Sequence, residues 1–490
     1  MGILSSIQEN RRLLEHIFSN DNELADIRKK IREEAGIMGD QKSENTIATG
    51  HQPIPYYPGL LFKNFFAGRQ AEKIGVEAFN FIVDSDNGSI KVPVPSKKNG
   101  DYRKELIILK ENPHTVFEGF QPSEKTVDNF LHSIGKQLKT IDKKEFYDAY
   151  KAWKAEFIKI YKQNHSFIDA LINMRTQLEK KLGFSLINKK ISEIAKSNAY
   201  YRFISYIIKH IEKYKEAYNN SVEKKSKGDY QPVKRMHETD GWIELPFWLI
   251  QNNKRYSIKI KKAHEKLNVA SKEADIYFSV STKNWDKLAT ELKKNILLYP
   301  KATTLTFMIR LFFCDIFVHG TGAVEYELVN NDFIKRFFHL ENTLSFYAVT
   351  GNIYLPLHGN RLNHEELQKK YNENKKWLKE AERNPEDLLD PETANHYKSK
   401  KKELAIQMKN EEDAGKRKKL HQQLENMNEE MKIHLKDQMD KIKKEISTEE
   451  YILDNEQIFL ERYYPYFIYP QNTLTTENFQ NNIRIKKYSS

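Results

Sequence analysis

Thr46-Ile47-Ala48-Thr49-Gly50-His51-Gln52-Pro53 sets a short apolar strand candidate, Thr46-Ile47-Ala48, directly before a glycine and a histidine. From Gly50 to Gly59 the chain carries three prolines and reads as a loop. From Leu60 to Ile74, the residues Leu61, Phe62, Phe65, Phe66 and Ile74 recur at the spacing of an amphipathic helix. Ala78 to Val83 then reads as a second, buried strand. Strand, loop, helix and strand within about 40 residues make a βαβ unit, which favours a right-handed crossover between parallel strands. Open α/β sheets bind their ligands outside the carboxyl ends of such strands. Gly50-His51-Gln52 and the acidic Asp84-Ser85-Asp86-Asn87 therefore fall at the expected ligand edge.

A second passage repeats the pattern. Thr303 to Leu311 is helix-like, Cys314 to Val318 reads as a strand, and His319-Gly320-Thr321-Gly322 forms a turn before a helix from Val324 to Phe338. Two glycines around a hydroxyl suit a turn that cradles a phosphate at a helix start. The turn lacks the Gly-Lys-Ser/Thr ending of a P-loop, and Glu325 stands where the third glycine of a dinucleotide fingerprint would fall. Gly50 is expected to permit positive φ and close ligand approach. His51 and His319 would then donate hydrogen bonds or protons to anionic oxygens, with Lys63 adding charge. Asp84 and Asp86, two apart on a strand, would point the same way and could bind a ribose hydroxyl or share a magnesium ion. Each motif also has a structural reading, as a buried turn histidine or as turn chemistry around Asn87-Gly88. Cys-x-x-Cys, His-Glu-x-x-His, an EF-hand loop and a Gly-x-Ser-x-Gly elbow are all missing from the sequence, so the metal ligands stay unknown.

The rest of the 490 residues divides by composition. Residues 1–44 suggest two short helices broken at Ser19-Asn20-Asp21, 45–123 the first half of the α/β domain, and 124–235 a helical insertion. Residues 236–362 would bring the sheet back, with strands at 242–250, 255–260 and 276–280, the first demoted towards an edge by Pro246. Residues 363–448 are almost continuous Lys, Glu, Gln and Asn with sparse Leu, Ile and Met, which fits a long antiparallel coiled-coil arm. Residues 449–490 are too aromatic for a free tail and should pack on the core. With 80 Lys+Arg against 68 Asp+Glu, the net charge of +12 favours an anionic partner, with nucleic acid the less favoured case. Cys314 lies in an apolar run and reads as a small buried hydrophobe. The longest apolar run, Leu305 to Val318, contains Arg310 and Asp315 and is too short to span a bilayer. A cytoplasmic protein without a membrane partner is expected.

Taken in order, Thr49-Gly50-His51-Gln52-Pro53, Tyr57-Pro58-Gly59-Leu60 with Lys63, and Val83-Asp84-Ser85-Asp86 resemble the amino-terminal passage of the cysteine-adding enzymes of bacillithiol biosynthesis. Phe317-Val318-His319-Gly320-Thr321-Gly322 with Tyr326 is similar to that family's Gly-Pro-Gly-Glu segment and following tyrosine, and 363–448 sits where the family has its coiled coil. Ala323 replaces the family's glutamate, and Glu325 is a candidate substitute for it. The resemblance implies a Rossmann-like parallel sheet with helical insertions, a homodimer through the arm, and a ligase-like enzyme joining an amino acid, cysteine in the family, to an amine-bearing small molecule. Forming an amide from a free carboxylate is uphill in water, so ATP or ADP, with Mg2+, is the expected cofactor set. The site would comprise His51, His319, Asp84 and Asp86, with Thr49, Gly50, Gln52, Lys63, Gly320, Thr321, Gly322, Glu325 and Tyr326 holding the ligand. Two other classes fit the same chain: a non-catalytic nucleotide- or nucleic-acid-binding scaffold, and a nucleotidyl- or glycosyl-transferase.

Overall fold

The first strand extends further than its apolar core, from Thr46 to His51, and becomes an inner strand of a six-stranded sheet. The computed structural model describes residues 2–37, 45–110, 114–226, 230–357 and 364–489. It divides into two units, Met1–Ile353 with Arg462–Ser490, and Tyr354–Glu461.

In the first unit the sheet strands are β1 (Thr46–His51), β2 (Glu77–Ile82), β3 (Ile187–Lys190), β4 (Ile316–His319), β5 (Phe346–Gly351) and β6 (Ile483–Tyr488). Their spatial order is β3-β2-β1-β4-β5-β6. All neighbours are parallel except β5 and β6. The inner strands are buried almost continuously rather than alternately, because both faces are covered, as parallel sheets require. Ala48, Phe79, Phe81 and Phe317 enter one large core with side chains from the helices Ile3–Asn20, Asn22–Glu34, Asn198–Lys209 and Ala302–Phe312. The crossover helix Pro58–Ile74 also packs on the sheet. It begins with proline in its first turn and ends at Gly75 in the left-handed conformation, φ 71°. The two amino-terminal helices are separated at Asp21, whose side chain caps the second by accepting from the Leu24 backbone N–H.

Three sequence expectations change. The strand signals after residue 236 do not rejoin the central sheet. They build an antiparallel sheet of their own from Trp242–Gln251, Lys254–Ala263, Lys266–Ser271, Ile276–Ser281 and Leu297–Pro300. Trp242–Gln251 is interior rather than an edge, pairing with Lys254–Ala263 on one side and Leu297–Pro300 on the other. The sheet accommodates Pro246 at an irregularity, where pairing with the neighbouring strand shifts register between Glu244 and Trp248. The helical insertion also conceals β3, which is only four residues long and polar, INKK, so it carries no alternating signal. Residues 90–110 form an unexpected hairpin, Ile90–Lys98 with Asp101–Lys110, turned by Asn99 and Gly100 at positive φ.

The carboxyl-terminal segment supplies β6, and Tyr464, Tyr466, Phe467, Ile468 and Tyr469 are buried in the first unit. The Phe467 ring stacks on Trp153 at 4.0 Å. The second unit is helical. His364–Arg383 and Pro391–Asn410 each lie against the long helix Ala414–Asp454. Lys370 pairs with Glu445 and Glu449 at 3.1 Å, and Ala381 packs with Leu435 and Met439, so the first helix runs antiparallel to the long one. Among the described residues no helix is long and apolar enough to cross a membrane.

Gly50 is dictated by sheet packing rather than by a turn. Its φ is not positive, and a Cβ there would meet the Phe81 carbonyl oxygen of β2 at 2.9 Å. Gly50→Ala should therefore cost about 1–3 kcal/mol by wedging β1 from β2. Urea unfolding would measure it, and an unchanged midpoint would contradict the close strand contact.

Candidate functional site

The strand order reverses between β1 and β4, since the chain leaves β1 towards β2 on one side and β4 towards β5 on the other. Such switch points open a crevice beyond the carboxyl ends of the two strands. His51 is the last residue of β1 and His319 the last of β4. Both line one cavity of about 220 Å³, together with Gly50, Gln52, Asp86 and Tyr326 among the residues singled out in the sequence. The helix Ala302–Phe312 contributes Leu305, Thr306 and Ile309, and Arg255 reaches in from the antiparallel sheet.

His51 is partly buried, its ring set edge-on to Tyr56 at 5.7 Å. Its Nδ1 lies 3.2 Å from the Gln52 carbonyl oxygen. A proton on Nδ1 satisfies that contact and leaves Nε2 as an acceptor. Burial, reinforced by the Lys63 ammonium, lowers its pKa to about 3, so the ring is neutral at physiological pH. A base that weak does not hold a proton taken from an ammonium group. His51 suits accepting or relaying a hydrogen bond instead.

His319 is deeper, packed against Phe317 at 4.3 Å and edge-on to Phe346 at 5.5 Å. Burial lowers its pKa too, and the Glu327 carboxylate opposes that shift. Its Nε2 is 3.4 Å from Glu327 Oε2 without forming a hydrogen bond. Arg310 does bond Glu327, at 2.8 Å, and also donates to the Leu344 carbonyl at 2.8 Å. Burial opposes ionisation of Glu327, but His319, Arg310 and Thr306 outweigh it and hold its pKa near 2. We attribute this mainly to Arg310, because His319 is itself held neutral. His319 Nε2 and Glu327 Oε1 are buried with no partner in the protein. Polar ligand atoms or water would satisfy them.

The two aspartates part company. The strand ends at Ile82, so Asp84 and Asp86 lie in a turn where strand alternation no longer applies. Asp86 accepts hydrogen bonds from Gln52 Nε2 and Arg255 Nη1, and Arg255 also reaches Asn87 Oδ1 at 2.9 Å. Asp84 is buried away from the cavity, accepting from the Ser192 backbone N–H at 2.9 Å and its hydroxyl at 2.5 Å. Burial raises its pKa to about 6. It ties the β2 exit to the helix Ile191–Ile194, whereas Asp86 is engaged by Gln52 and Arg255. Among the described residues no group of three or more His, Cys, Asp or Glu side chains could hold a metal ion.

Other expected contacts shift as well. Thr49 is fully buried and off the cavity lining. Lys63 is also buried, donating to the Gly50 carbonyl beneath the site, and burial with the nearby Arg175 lowers its pKa to about 7. Gly320, Thr321 and Gly322 lie outside the lining, and a Cβ on either glycine would meet nothing within 4 Å. Glu325 is exposed, and the carboxylate beside His319 is Glu327. The signal for Glu327 was Arg310, a cation inside an apolar run that needs a buried partner. Arg255 carried no comparable signal, because its role depends on the antiparallel sheet bringing the strand Lys254–Ala263 to Asp86.

No family model matches this chain, and a search of curated proteins returns no significant match. Fold and site together define an α/β protein with a small cavity of mixed polar and apolar lining at the strand-order switch.

Because both histidines bind protons less readily folded than unfolded, their contribution is fully present above about pH 6.5 and fades as pH falls towards the folded values. Glu327, with its pKa depressed, works in the same direction between its ordinary 4.5 and about 2. Stability should therefore drop from pH 7 to pH 4, by up to about 1.4 kcal/mol per pH unit for each histidine. His51→Gln should flatten this slope in chemical unfolding, and an unaltered slope would mean His51 titrates normally. Gly320→Ala should change stability by less than about 0.5 kcal/mol, measured the same way.

Proposed function

We propose that this chain is a small-molecule enzyme with a Rossmann-like core, joining an amino acid to an amine-bearing small molecule in a site like that of the bacillithiol cysteine-adding enzymes. The observation that carries the reading is the convergence of His51, Asp86, and His319 with Tyr326, from three separate stretches of chain, on one cavity at the switch point. The spatial order β3-β2-β1-β4-β5-β6, with an antiparallel last strand, supports the Rossmann-like assignment.

The cavity, at about 220 Å³, is smaller than the roughly 300–1,000 Å³ of sites for drug-sized ligands and suits a reactant of amino-acid size. Asp86 and Arg255 are paired with each other at the cavity, and a reactant's ammonium and carboxylate would exchange with that pair, one end to each partner. Neutral His51 would accept a hydrogen bond from the attacking group, and His319 with Glu327 would hold the opposite end. A whole ATP or ADP exceeds this space, so only its reacting end would enter. Mg2+ would depend chiefly on phosphate oxygens for ligands. A cytoplasmic setting is part of the same reading.

Purified protein incubated with cysteine, ATP, Mg2+ and a panel of amino sugars should yield an ATP-dependent condensation product by mass spectrometry. His51→Ala with His319→Ala should lower its rate by about 100-fold or more. Absence of product together with absence of amino-acid binding by calorimetry would refute the reading.

We further propose that the second unit is a coiled-coil arm through which the chain forms a homodimer. Its antiparallel helices support this, as do Ile406 and Ile433, which are 52% and 71% exposed. Light scattering should show a dimer that Ile433→Glu weakens at least ten-fold. A stable dimer after removal of residues 363–448 would place the interface elsewhere.

A further inference from the structure

Beside the histidine cavity lies a wider groove of about 720 Å³, and Ala302 lines both. Its floor is the start of the helix Ala302–Phe312, and one wall is formed by the strands Trp242–Gln251 and Lys254–Ala263. The other wall, residues 233–239, is fastened to the helix Ile211–Lys225. Asn219 exchanges hydrogen bonds with the Met236 backbone at 3.0 and 2.8 Å, and the Tyr218 hydroxyl donates to the Lys234 carbonyl at 3.1 Å. The groove is thus a built feature with its own supports.

Its charge is unbalanced. Lys234, Arg235, Lys259 and Lys301 line it against two carboxylates, Glu244 and Glu273. Glu244 is already taken by Lys301 at 2.5 Å. Lys234, Arg235 and Lys259 are exposed, and Arg235 approaches Glu223 at 3.5 Å. Among the described residues neither Lys234 nor Lys259 forms a side-chain ion pair. Trp248 joins the two compartments. The Arg255 guanidinium, which lines the inner cavity, lies 4.9 Å from its ring centroid, and Lys301 of the groove lies 4.7 Å from it.

We propose that this groove binds the phosphate-bearing part of a cosubstrate whose reacting end passes Ala302 into the His51–His319 cavity. The second half of that statement rests on the enzymatic reading above. The volume falls within the roughly 300–1,000 Å³ typical of ligand sites, and cations from three separate elements surround it, as an extended polyanion requires. A single-stranded nucleic acid fits less well, because it needs open aromatic faces for stacking and Trp248 is already engaged by two cations.

Calorimetry on the full chain, using sodium pyrophosphate as the probe with citrate and a ten-nucleotide oligo-dT as comparators, tests this. Saturable 1:1 pyrophosphate binding is expected, weakened at least ten-fold in Arg235→Gln/Lys259→Gln and unchanged in His51→Asn. No binding, equal binding by the double variant, or equal or tighter binding of citrate or oligo-dT would overturn the assignment. Pyrophosphate needs no reactant in the inner cavity. Intact pyrophosphate binding without amino-acid binding would therefore count against the inner-site reading alone.

Discussion

The parallel pairing of β1 with β4 is the contact on which the rest depends. Ile47, Ala48 and Thr49 align with Ile316, Phe317 and Val318, which brings His51 and His319 to the same edge. Asp315 fixes that register, because its carboxylate accepts from the Thr46 backbone N–H at 2.7 Å. Its own N–H donates to the Thr46 carbonyl at 3.0 Å. Asn10 then bonds the Asp315 and Ser345 carbonyls at 2.7 and 2.9 Å, carrying the constraint across to β5. A slip of this pair by one residue would turn every side chain of β1 to the other face and dissolve the cavity.

Beneath the cavity the protein buries charge on both sides of β1. Arg310 with Glu327 forms one pair, and Arg175 with Glu179, at 3.1 Å, forms another close to Lys63. Such pairs seldom repay their desolvation as stability, and truncating one partner is far more costly than never having had the pair. Their consequence here is positional. Burial holds the histidines neutral beside them, and polar atoms, His319 Nε2 and Glu327 Oε1, are left without protein partners at the base of the crevice.

The fold was legible where physical signals are local. Apolar runs flanked by Gly50 and by His319-Gly320 marked β1 and β4, and the spacing of Leu61, Phe62, Phe65 and Phe66 marked the crossover helix. Six of the expected site residues, Gly50, His51, Gln52, Asp86, His319 and Tyr326, line the cavity for the same reason. What escaped was set by distant chain. Arg255 acquires meaning only through Asp86, β3 is too short and polar to show a period, and Pro246 in an interior strand is tolerated through a register irregularity that no local rule reveals. Asp84 and Asp86 misled because the strand ends at Ile82, one residue before its apolar run does, and the chain turns at once.

The separation of β1 from β4 also has a temporal side. Asp315 and Thr46 are 269 positions apart, and the helical insertion and the antiparallel sheet lie between them. During synthesis at about 5–20 residues per second, β1 waits many seconds with one edge unpaired before β4 emerges. Pairing of such high sequence separation is intrinsically slow and exposed to aggregation. The crevice is thus among the last features to assemble, and a chain truncated before residue 316 lacks β4, β5 and β6 and with them the second wall of the site.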